Sequence, residues 1–163
     1  MKNLNIKINK DKRGYFLKVY DSEFLKNLKF NIDQVCISLT KKVGTIRGLH
    51  FQNSPNFERK IVICLSGKIF DVAVNLKKIK NNRLFYKSKI LDSKKKNAVL
   101  IEKGFAHGFQ TLEPNSTILY LIEGKFINKK QGGILWNDEK IKIKWPLKNF
   151  FLSKRDKSFK KLQ

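Results

Sequence analysis

Short runs of alternating apolar and polar residues recur along the chain and predict a protein built mainly from β-strands. In residues 34–40, Val35, Ile37 and Leu39 would point to one side of a strand, and the small polar residues between them to the other. That polar side could line a pocket or face water. Further runs that indicate strands occupy residues 14–20, 45–52, 60–65, 68–76, 84–91, 98–102, 106–112, 117–123 and 141–145.

Turn-forming residues separate these runs, for example at 81–82 and 113–115. Many short strands divided in this way indicate an all-β sandwich or barrel. No long helical pattern alternates with the strands, which argues against a parallel sheet. One short helix is predicted within residues 21–29, with Ser22 as a possible N-cap.

The chain has 163 residues, of which 41% are hydrophobic, enough for one buried core. We therefore expect a single domain over residues 1–163, ending in a basic, solvated tail at 154–163. Two cysteines, Cys36 and Cys64, are too few for a disulfide framework, and free thiols are usual in a reducing compartment. No apolar stretch of signal-peptide length opens the sequence, so a cytoplasmic protein is expected.

The formal net charge of +23 makes polyanions a class of partner to consider. Proteins that read nucleic acids usually concentrate their charge on one element and use arginine for bidentate contacts. Here lysines are spread over nearly every segment, so we expect no nucleic-acid partner. No run approaches the ~20 apolar residues of a membrane span, so no membrane association is expected either.

One stretch, residues 44–52, contains one of only two histidines in the chain, His50, and one of five arginines, Arg47. Histidine is the side chain that changes charge near neutral pH, which makes this stretch the first candidate for chemistry. In a regular strand, Arg47 and His50 would point to opposite faces because they are three residues apart. Gly48 lies between them and permits a β-bulge, which would bring both side chains to one face.

From about Arg13 to Asp156 the chain resembles the dTDP-4-dehydrorhamnose 3,5-epimerase family of nucleotide-sugar epimerases. Each matching piece alone is weak, but six pieces in the family's order and spacing are specific. The segments that carry the resemblance are Arg47-Gly48-Leu49-His50-Phe51-Gln52, Lys60-Ile61-Val62, Gly67 to Val74, Gly104 to Phe109, Tyr120 within Ile118-Leu119-Tyr120, and Gly133 to Asp138 followed by Ile143 to Pro146.

The resemblance implies an all-β fold, namely a cupin-type jelly roll (double-stranded β-helix) with one or two short peripheral helices. It also implies a homodimer that acts without a cofactor on a nucleoside-diphosphate-linked 4-keto-6-deoxy sugar. A 4-keto group makes the hydrogens on C3 and C5 acidic because the carbanion delocalises into an enolate. Inverting such a centre needs a base on one face, a proton donor on the other and a positive group at the oxyanion.

Four residues occupy the family's catalytic positions. By similarity, His50 is the base, because a neutral imidazole is well matched to proton abstraction near pH 7. Tyr120 takes the position of the proton donor, and Lys60 takes the place of a lysine beside the sugar oxygen, where a cation would stabilise the enolate. Asp156 matches a late aspartate that pairs with the catalytic histidine and fixes its tautomer.

Five further residues match substrate-binding positions. Arg13 and Arg47 would hold the diphosphate, for which a guanidinium fork is suited. His107 would line the pocket. Gln34 matches the first residue of a Gln-x-Asn pattern, and Phe126 stands where a tyrosine usually meets the nucleotide end.

The chain also departs from the family pattern. Lys18 replaces a glutamate in a strand that normally reaches the partner subunit's nucleotide site. Cys36 replaces the asparagine of the Gln-x-Asn pattern, and Glu102 replaces a proline. Residues 80–83 replace a Gly-Ser-Pro turn. The catalytic positions are thus kept while the nucleotide-facing ones differ, which leaves the base and the sugar open.

Three alternatives remain at this point. A metal-dependent cupin would need clustered ligands, whereas the two histidines are 57 residues apart without a His-x-His motif, so no metal site is expected. A keto-sugar isomerase, or an epimerase that acts at one centre only, would use the same base and enolate stabilisation. A polyanion-binding β-domain would instead exploit the positive charge.

Overall fold

The computed structural model describes residues 1–19, 21–80 and 83–162. Twelve strands and two short α-helices account for most of the regular structure, with one turn of 3₁₀-helix at Asn128–Lys130. The helices are α1 (Ser22–Asn27) and α2 (Lys154–Lys157). The strands are β1 (Lys2–Asn5), β2 (Ile8–Asp11), β3 (Gly14–Leu17), β4 (Gln34–Thr40), β5 (Ile46–Gln52), β6 (Arg59–Ser66), β7 (Lys68–Lys80), β8 (Arg83–Asp92), β9 (Asn97–Ile101), β10 (Phe105–Thr111), β11 (Ser116–Glu123) and β12 (Gln131–Gly133).

Ten of these strands form two five-stranded sheets in which neighbouring strands are antiparallel. The first sheet has the order β1-β9-β6-β11-β4 and the second the order β12-β5-β10-β7-β8. Strands β2 and β3 form a separate hairpin. Strands that follow one another along the chain mostly belong to different sheets, as in a jelly roll. This confirms the predicted fold class.

The main core lies between the two sheets. Val62 and Ile118 of the first sheet pack against Ile69 and Phe109 of the second, and all four side chains are almost fully buried. Burying each such side chain contributes about 1.5–3 kcal/mol relative to its exposure. Two further clusters cover the outer faces: α1 packs on the first sheet, and residues 134–145 pack on the second.

Several predicted elements differ from the observed ones. Residues 141–145 form no strand; Ile141 and Ile143 instead pack on the outer face of the second sheet from a turn and an extended segment. The helix is capped by Asp21, whose carboxylate accepts from the Glu23 and Phe24 amides, and not by Ser22. The strand expected at 14–20 ends at Leu17. Tyr20 and the turn predicted at 81–82 lie outside the described residues.

The end of the chain is also different from the solvated tail that its composition suggested. Ser153 caps α2 by accepting from the Asp156 amide, and Asp156 is buried. The Leu135 amide donates to the Lys160 carbonyl, and the Leu162 amide to the Asp138 carboxylate. The C-terminal segment is therefore docked on the body of the protein. No helix of the described residues is long and apolar enough to span a membrane.

Candidate active site

A cavity of about 520 Å³ lies between the two sheets. Strands β4, β6 and β11 of the first sheet form one wall, β5 and β10 of the second form the other, and the C-terminal segment closes one side. The lining residues are Cys36, Ser38, Thr45, Ile46, Arg47, His50, Lys60, His107, Phe109, Tyr120, Ile122, Ser153, Arg155 and Asp156.

Strand β5 brings Arg47 and His50 to the same wall by means of a bulge. Opposite it on β10, His107 pairs with His50 and Phe109 with Arg47, so three steps on β5 match two on β10. The extra residue flips the alternation of β5, as the position of Gly48 predicted. Gly48 has φ +128°, and a Cβ there would lie 2.6 Å from the Gly108 Cα. Only glycine fits, because both the conformation and the space exclude a side chain.

Asp156 lies directly against His50, with 2.7 Å between Oδ1 and Nε2. Partial burial alone would raise the pKa of the Asp156 carboxyl, but the hydrogen bonds with His50 and the Gly48 amide outweigh it and hold that pKa below its ordinary value. An ionised carboxylate only accepts, so the Nε2 atom of His50 must donate. This leaves the lone pair on Nδ1, which makes the imidazole a base with a defined tautomer.

Lys60 on β6 is held in the facing wall by an ion pair. Its Nζ atom lies 2.8 Å from the Glu58 carboxylate, and both side chains are largely buried. The other oxygen of Glu58 accepts from Gln52 at 2.8 Å. The ion pair thus holds the ammonium in the cavity wall, where it can also meet a ligand.

Tyr120 lies on β11 in the same wall as Lys60. Burial, with a further contribution from the charge of Asp71, raises the pKa of the Tyr120 hydroxyl above its ordinary range, while the Arg47 charge acts in the opposite direction. The hydroxyl is therefore protonated at neutral pH and can act as a donor. Its ring packs edge to face with the His107 ring, at 6.2 Å between centroids.

His107 forms a second histidine–carboxylate pair deeper in the protein. Its Nε2 atom lies 2.8 Å from Asp71 Oδ2, and Asp71 is fully buried on β7. Four residues of the site were not expected from the sequence: Glu58, Asp71, Ser153 and Arg155. Of these, Asp71 lies within one of the family-like segments. The polar side of β4 does line the pocket, through Cys36 and Ser38.

Three expected substrate-binding residues lie outside this cavity. Arg13 is on the β2–β3 hairpin and forms an exposed ion pair with Asp11. Gln34 donates to the Gly124 carbonyl, and Phe126 is exposed on the following loop. Arg47, by contrast, lies in the cavity wall, where it donates to the Thr40 hydroxyl at 2.9 Å. Among the described residues, no group of three or more His, Cys, Asp or Glu side chains could hold a metal ion.

Comparisons with known proteins agree on one family. The family model described as dTDP-4-dehydrorhamnose 3,5-epimerase matches residues 1–163. A relative of that name from Salmonella typhimurium is 37% identical over 146 residues, which are 88% of this chain and 79% of the relative.

Solved structures give the same result. The enzyme of that name from Bacillus anthracis, with TDP and PPi bound, is 33% identical with a TM-score of 0.91, over 98% of this chain and 93% of that chain. An epimerase from Legionella pneumophila, in complex with dTDP-4-keto-L-rhamnose, is 30% identical with a TM-score of 0.88, over 98% and 86%.

Proposed function

The chain belongs to the dTDP-4-dehydrorhamnose 3,5-epimerase family, and from this premise we propose that it epimerises a nucleoside-diphosphate-linked 4-keto-6-deoxy sugar. One observation carries the proposal: the base and the proton donor lie on facing sheets. His50 lies on β5 of the second sheet, and Tyr120 lies on β11 of the first. A sugar ring in the cavity between them would meet a base on one face and a donor on the other, which is what inversion requires.

The first step is removal of the proton on a carbon next to the ketone. The Nδ1 atom of His50 takes this proton, and the C–H bonding electrons move into the ketone to form an enolate. The Asp156 carboxylate stabilises the imidazolium that results, because it lies 2.7 Å from Nε2. General-base catalysis of this kind typically contributes about 10²–10⁴-fold.

The enolate oxygen needs a positive partner that is in place before the reaction. Lys60 is the candidate, because its ammonium lies in the cavity wall and is held there by Glu58. A preorganised donor at an oxyanion is often worth about 3–4 kcal/mol. No redox step or electron sink is required, because the ketone itself delocalises the charge, so we propose a reaction without a cofactor.

The second step returns a proton to the opposite face. Tyr120 donates its hydroxyl proton to the carbon, and the enolate electrons form the new C–H bond. The tyrosinate that remains is stabilised by the nearby Arg47 charge until it regains a proton from solvent. His50 then releases its own proton, so that the enzyme returns to its initial state.

The diphosphate is assigned to the arginine side of the cavity. Arg47 and Arg155 both line it, and guanidinium groups bind phosphate oxygens in a bidentate manner. His107 would contact the sugar. Gln34, Phe126 and Arg13 lie outside the lining of their own chain's cavity, so we assign them to the nucleotide end, with Arg13 acting in the site of a second copy.

A second copy is the proposed partner because one apolar face is left uncovered. Val35, Ile37 and Leu39 project from β4, the last strand of the first sheet, and are 62%, 68% and 51% exposed. They share that face with Leu119 and Leu121 of β11, which the core covers. An exposed apolar edge strand of this length is a template for pairing. We therefore propose a homodimer in which this face is buried.

The family relationship also suggests where the product is used. We propose that the enzyme supplies a deoxysugar for a surface polysaccharide. A cytoplasmic location fits the two free thiols, since a reducing compartment keeps cysteines unpaired.

Deuterium uptake from D₂O tests the proposal. The protein is incubated with a panel of 4-keto-6-deoxy nucleotide sugars, and NMR shows whether C3, C5 or both exchange. We expect exchange with the wild type, with losses of about 10²-fold or more for His50→Ala and Tyr120→Phe.

Tyr86→Phe is the matched control, because the Tyr86 hydroxyl accepts from the Lys144 amide outside the cavity. This variant should keep the wild-type rate. Full exchange by folded His50→Ala would refute the assignment of the base. Exchange at a single carbon would identify a one-centre epimerase.

A further inference from the structure

Phe159 is packed against the candidate base, although it comes from a segment whose composition suggested a solvated tail. Its ring lies edge to face with the His50 imidazole, with 5.6 Å between centroids and an interplanar angle of 73°. The Arg155 guanidinium lies over the same ring at 5.7 Å, and Arg155 also bonds to Gln131 at the start of β12. The ring therefore contacts His50 of β5 and Arg155 of α2.

Gly133 provides the space for this ring. In the β5–β12 ladder, Gly133 is the residue directly opposite His50. A Cβ at Gly133 would lie 2.3 Å from the Phe159 Cζ atom, closer than any real contact. The position beside His50 that a cross-strand side chain would normally fill is thus left empty by Gly133 and filled by Phe159.

The imidazole needs a second contact of this kind. The hydrogen bond from Nε2 to Asp156 fixes one atom of the ring but allows the ring to turn about the line of that bond. An aromatic ring packed edge to face against its side restricts this rotation. The cavity is lined by His50, Ser153, Arg155 and Asp156, whereas Phe159 is not among its described lining residues. Phe159 therefore acts through the residues it contacts, and since Arg155 is also held by Gln131, the effect on catalysis is expected at His50.

We propose that Phe159 is a positioning residue, which holds the His50 imidazole so that Nδ1 points into the cavity. The inference rests on the proposed function, because it takes His50 as the base. It adds a second task for the C-terminal segment, which supplies both the carboxylate behind the imidazole and the ring beside it.

The test combines kinetics with a spectroscopic signal. Phe159→Ala should lower kcat for deuterium exchange about tenfold with KM within about twofold, because the substrate contacts are kept while the base is misplaced. Phe159→Leu should recover part of the rate, since it restores the packing volume. The chain has two histidines, so their ring protons are readily followed by NMR. The His50 signals should shift in both variants, while those of His107 should not.

A size-exchange pair gives the sharpest outcome. Gly133→Ala alone should reduce kcat by at least as much as Phe159→Ala, because its methyl group displaces the ring. The double variant should be no worse than Phe159→Ala, because the methyl group then has room. Independent, multiplying losses in the double variant would overturn the inference, as would a wild-type kcat for folded Phe159→Ala.

His50→Ala is measured alongside to separate the two hypotheses. If this variant loses exchange while Phe159→Ala keeps the full rate, only the positioning role is wrong. If His50→Ala itself keeps the full rate, the proposed function is wrong.

Discussion

His50 and His107 have the same kind of hydrogen bond but different surroundings. Each directs Nε2 to a carboxylate, at 2.7 Å for Asp156 and 2.8 Å for Asp71. The His50 side chain is 34% exposed towards the cavity, whereas that of His107 is 8% exposed and packs on Tyr120. A base must reach its substrate, so this difference favours His50. His107 is better placed to orient the sugar and the Tyr120 ring.

Asp71 also influences the neighbouring Tyr120. The Oδ1 atom of Asp71 is buried without a hydrogen-bond partner among the described residues. A buried carboxylate oxygen without a partner is costly, and its negative charge is one reason why the pKa of Tyr120 is raised. The pair of Asp71 and His107 thus acts on the proton donor as well as on the cavity wall.

The two cysteines give a prediction about access to the cavity. Cys36 is exposed in the cavity wall and pairs with Tyr120 across the β4–β11 ladder, whereas Cys64 is buried in the core. Burial raises the pKa of the Cys64 thiol to about 12, so Cys64 stays protonated and unreactive at pH 8. Iodoacetamide should therefore add one group, at Cys36, and lower the exchange rate about tenfold or more.

Intact-mass spectrometry counts the added groups, and peptide mapping locates them. Bound nucleotide sugar should slow the labelling because it occupies the same cavity. Cys36→Ser is the control and should take up no label in the folded state. Labelling at Cys64 under native conditions would contradict this account of the two sites.

The candidate catalytic residues could be expected from the sequence because each matches a family position, but several of their contacts could not. Asp71 and Phe159 contact histidines that are distant in sequence, His107 and His50. Glu58 is close to Lys60 in sequence, but nothing in the sequence distinguishes their ion pair from other neighbouring charges. Arg13 and Phe126 show another limit of prediction from the sequence. Both match family positions, but neither lines the cavity of its own chain.

At the scale of elements, two strands depart from the simple rule that polar residues face water. The polar side of β4 faces the cavity and its apolar side faces out. Strand β5 carries a bulge that turns Arg47 and His50 to the same side. Both features serve the site, and the bulge depends on Gly48.

Gly48→Ala should disrupt this bulge. The new methyl group would lie 2.6 Å from the Gly108 Cα and 2.8 Å from the His107 carbonyl oxygen, both of them backbone atoms that cannot move aside cheaply. The positive φ adds strain of about 1–3 kcal/mol. We expect a lower free energy of unfolding and a loss of exchange activity of about 10²-fold, since His50 and Arg47 would shift. Denaturant unfolding and the deuterium assay measure the two effects.

Gly14→Ala separates strain from collision. Gly14 also has a positive φ, +139°, but apart from its two chain neighbours no described residue has an atom within 4 Å of its Cβ position. This variant should show the cost of the conformation alone and retain activity. Equal losses of stability in the two variants would mean that the contact with Gly108 is unimportant.

The strands that the sequence could predict are those with a buried side. Alternation reveals β4, whereas short apolar runs between turns reveal strands that are buried on both faces, such as β6 and β9. Strand β12 could not be found in this way, since two of its three residues are glycine, and β1 and β2 are short and mostly polar. The strand predicted at residues 141–145 was wrong because alternation has a different cause there. Ile141, Ile143 and Trp145 cover a sheet from outside instead of joining it.

For the whole molecule, the two sheets divide the chemistry between them. The first sheet supplies Lys60 and Tyr120, and the second supplies Arg47, His50 and His107. The positive charge is spread over the surface, as its spacing in the sequence indicated, so it does not mark out one element as a binding face. Among the described residues, the most localised surface feature is the exposed apolar side of β4.

Ile37→Asp should therefore dissociate the proposed dimer. The new carboxylate would be buried in the interface without a partner, which is costly. Light scattering after gel filtration should give a dimer for the wild type and a monomer for the variant. Ile90→Asp is the matched control, because Ile90 is 47% exposed on β8, the last strand of the other sheet. A monomeric wild type, or dissociation by Ile90→Asp instead, would contradict the proposal.

The salt dependence of dimerisation is a second test of the proposed dimer. Two copies that each carry a formal charge of +23 repel one another, and this repulsion is screened over a Debye length of about 10 Å at 0.1 M salt. Added salt should therefore strengthen dimerisation. Binding to a polyanion would show the opposite dependence, because salt weakens it.

The docking of the C-terminal segment has a consequence for the order in which the site is completed during synthesis. His50, Lys60 and Tyr120 leave the ribosome early and can take their places in the two sheets. The carboxylate that fixes the His50 tautomer is residue 156, and it is held in place through residues 160 and 162. A chain that ends before residue 156 would lack the carboxylate partner of His50. We therefore expect the candidate site to be completed only after residues 156–162 have been made.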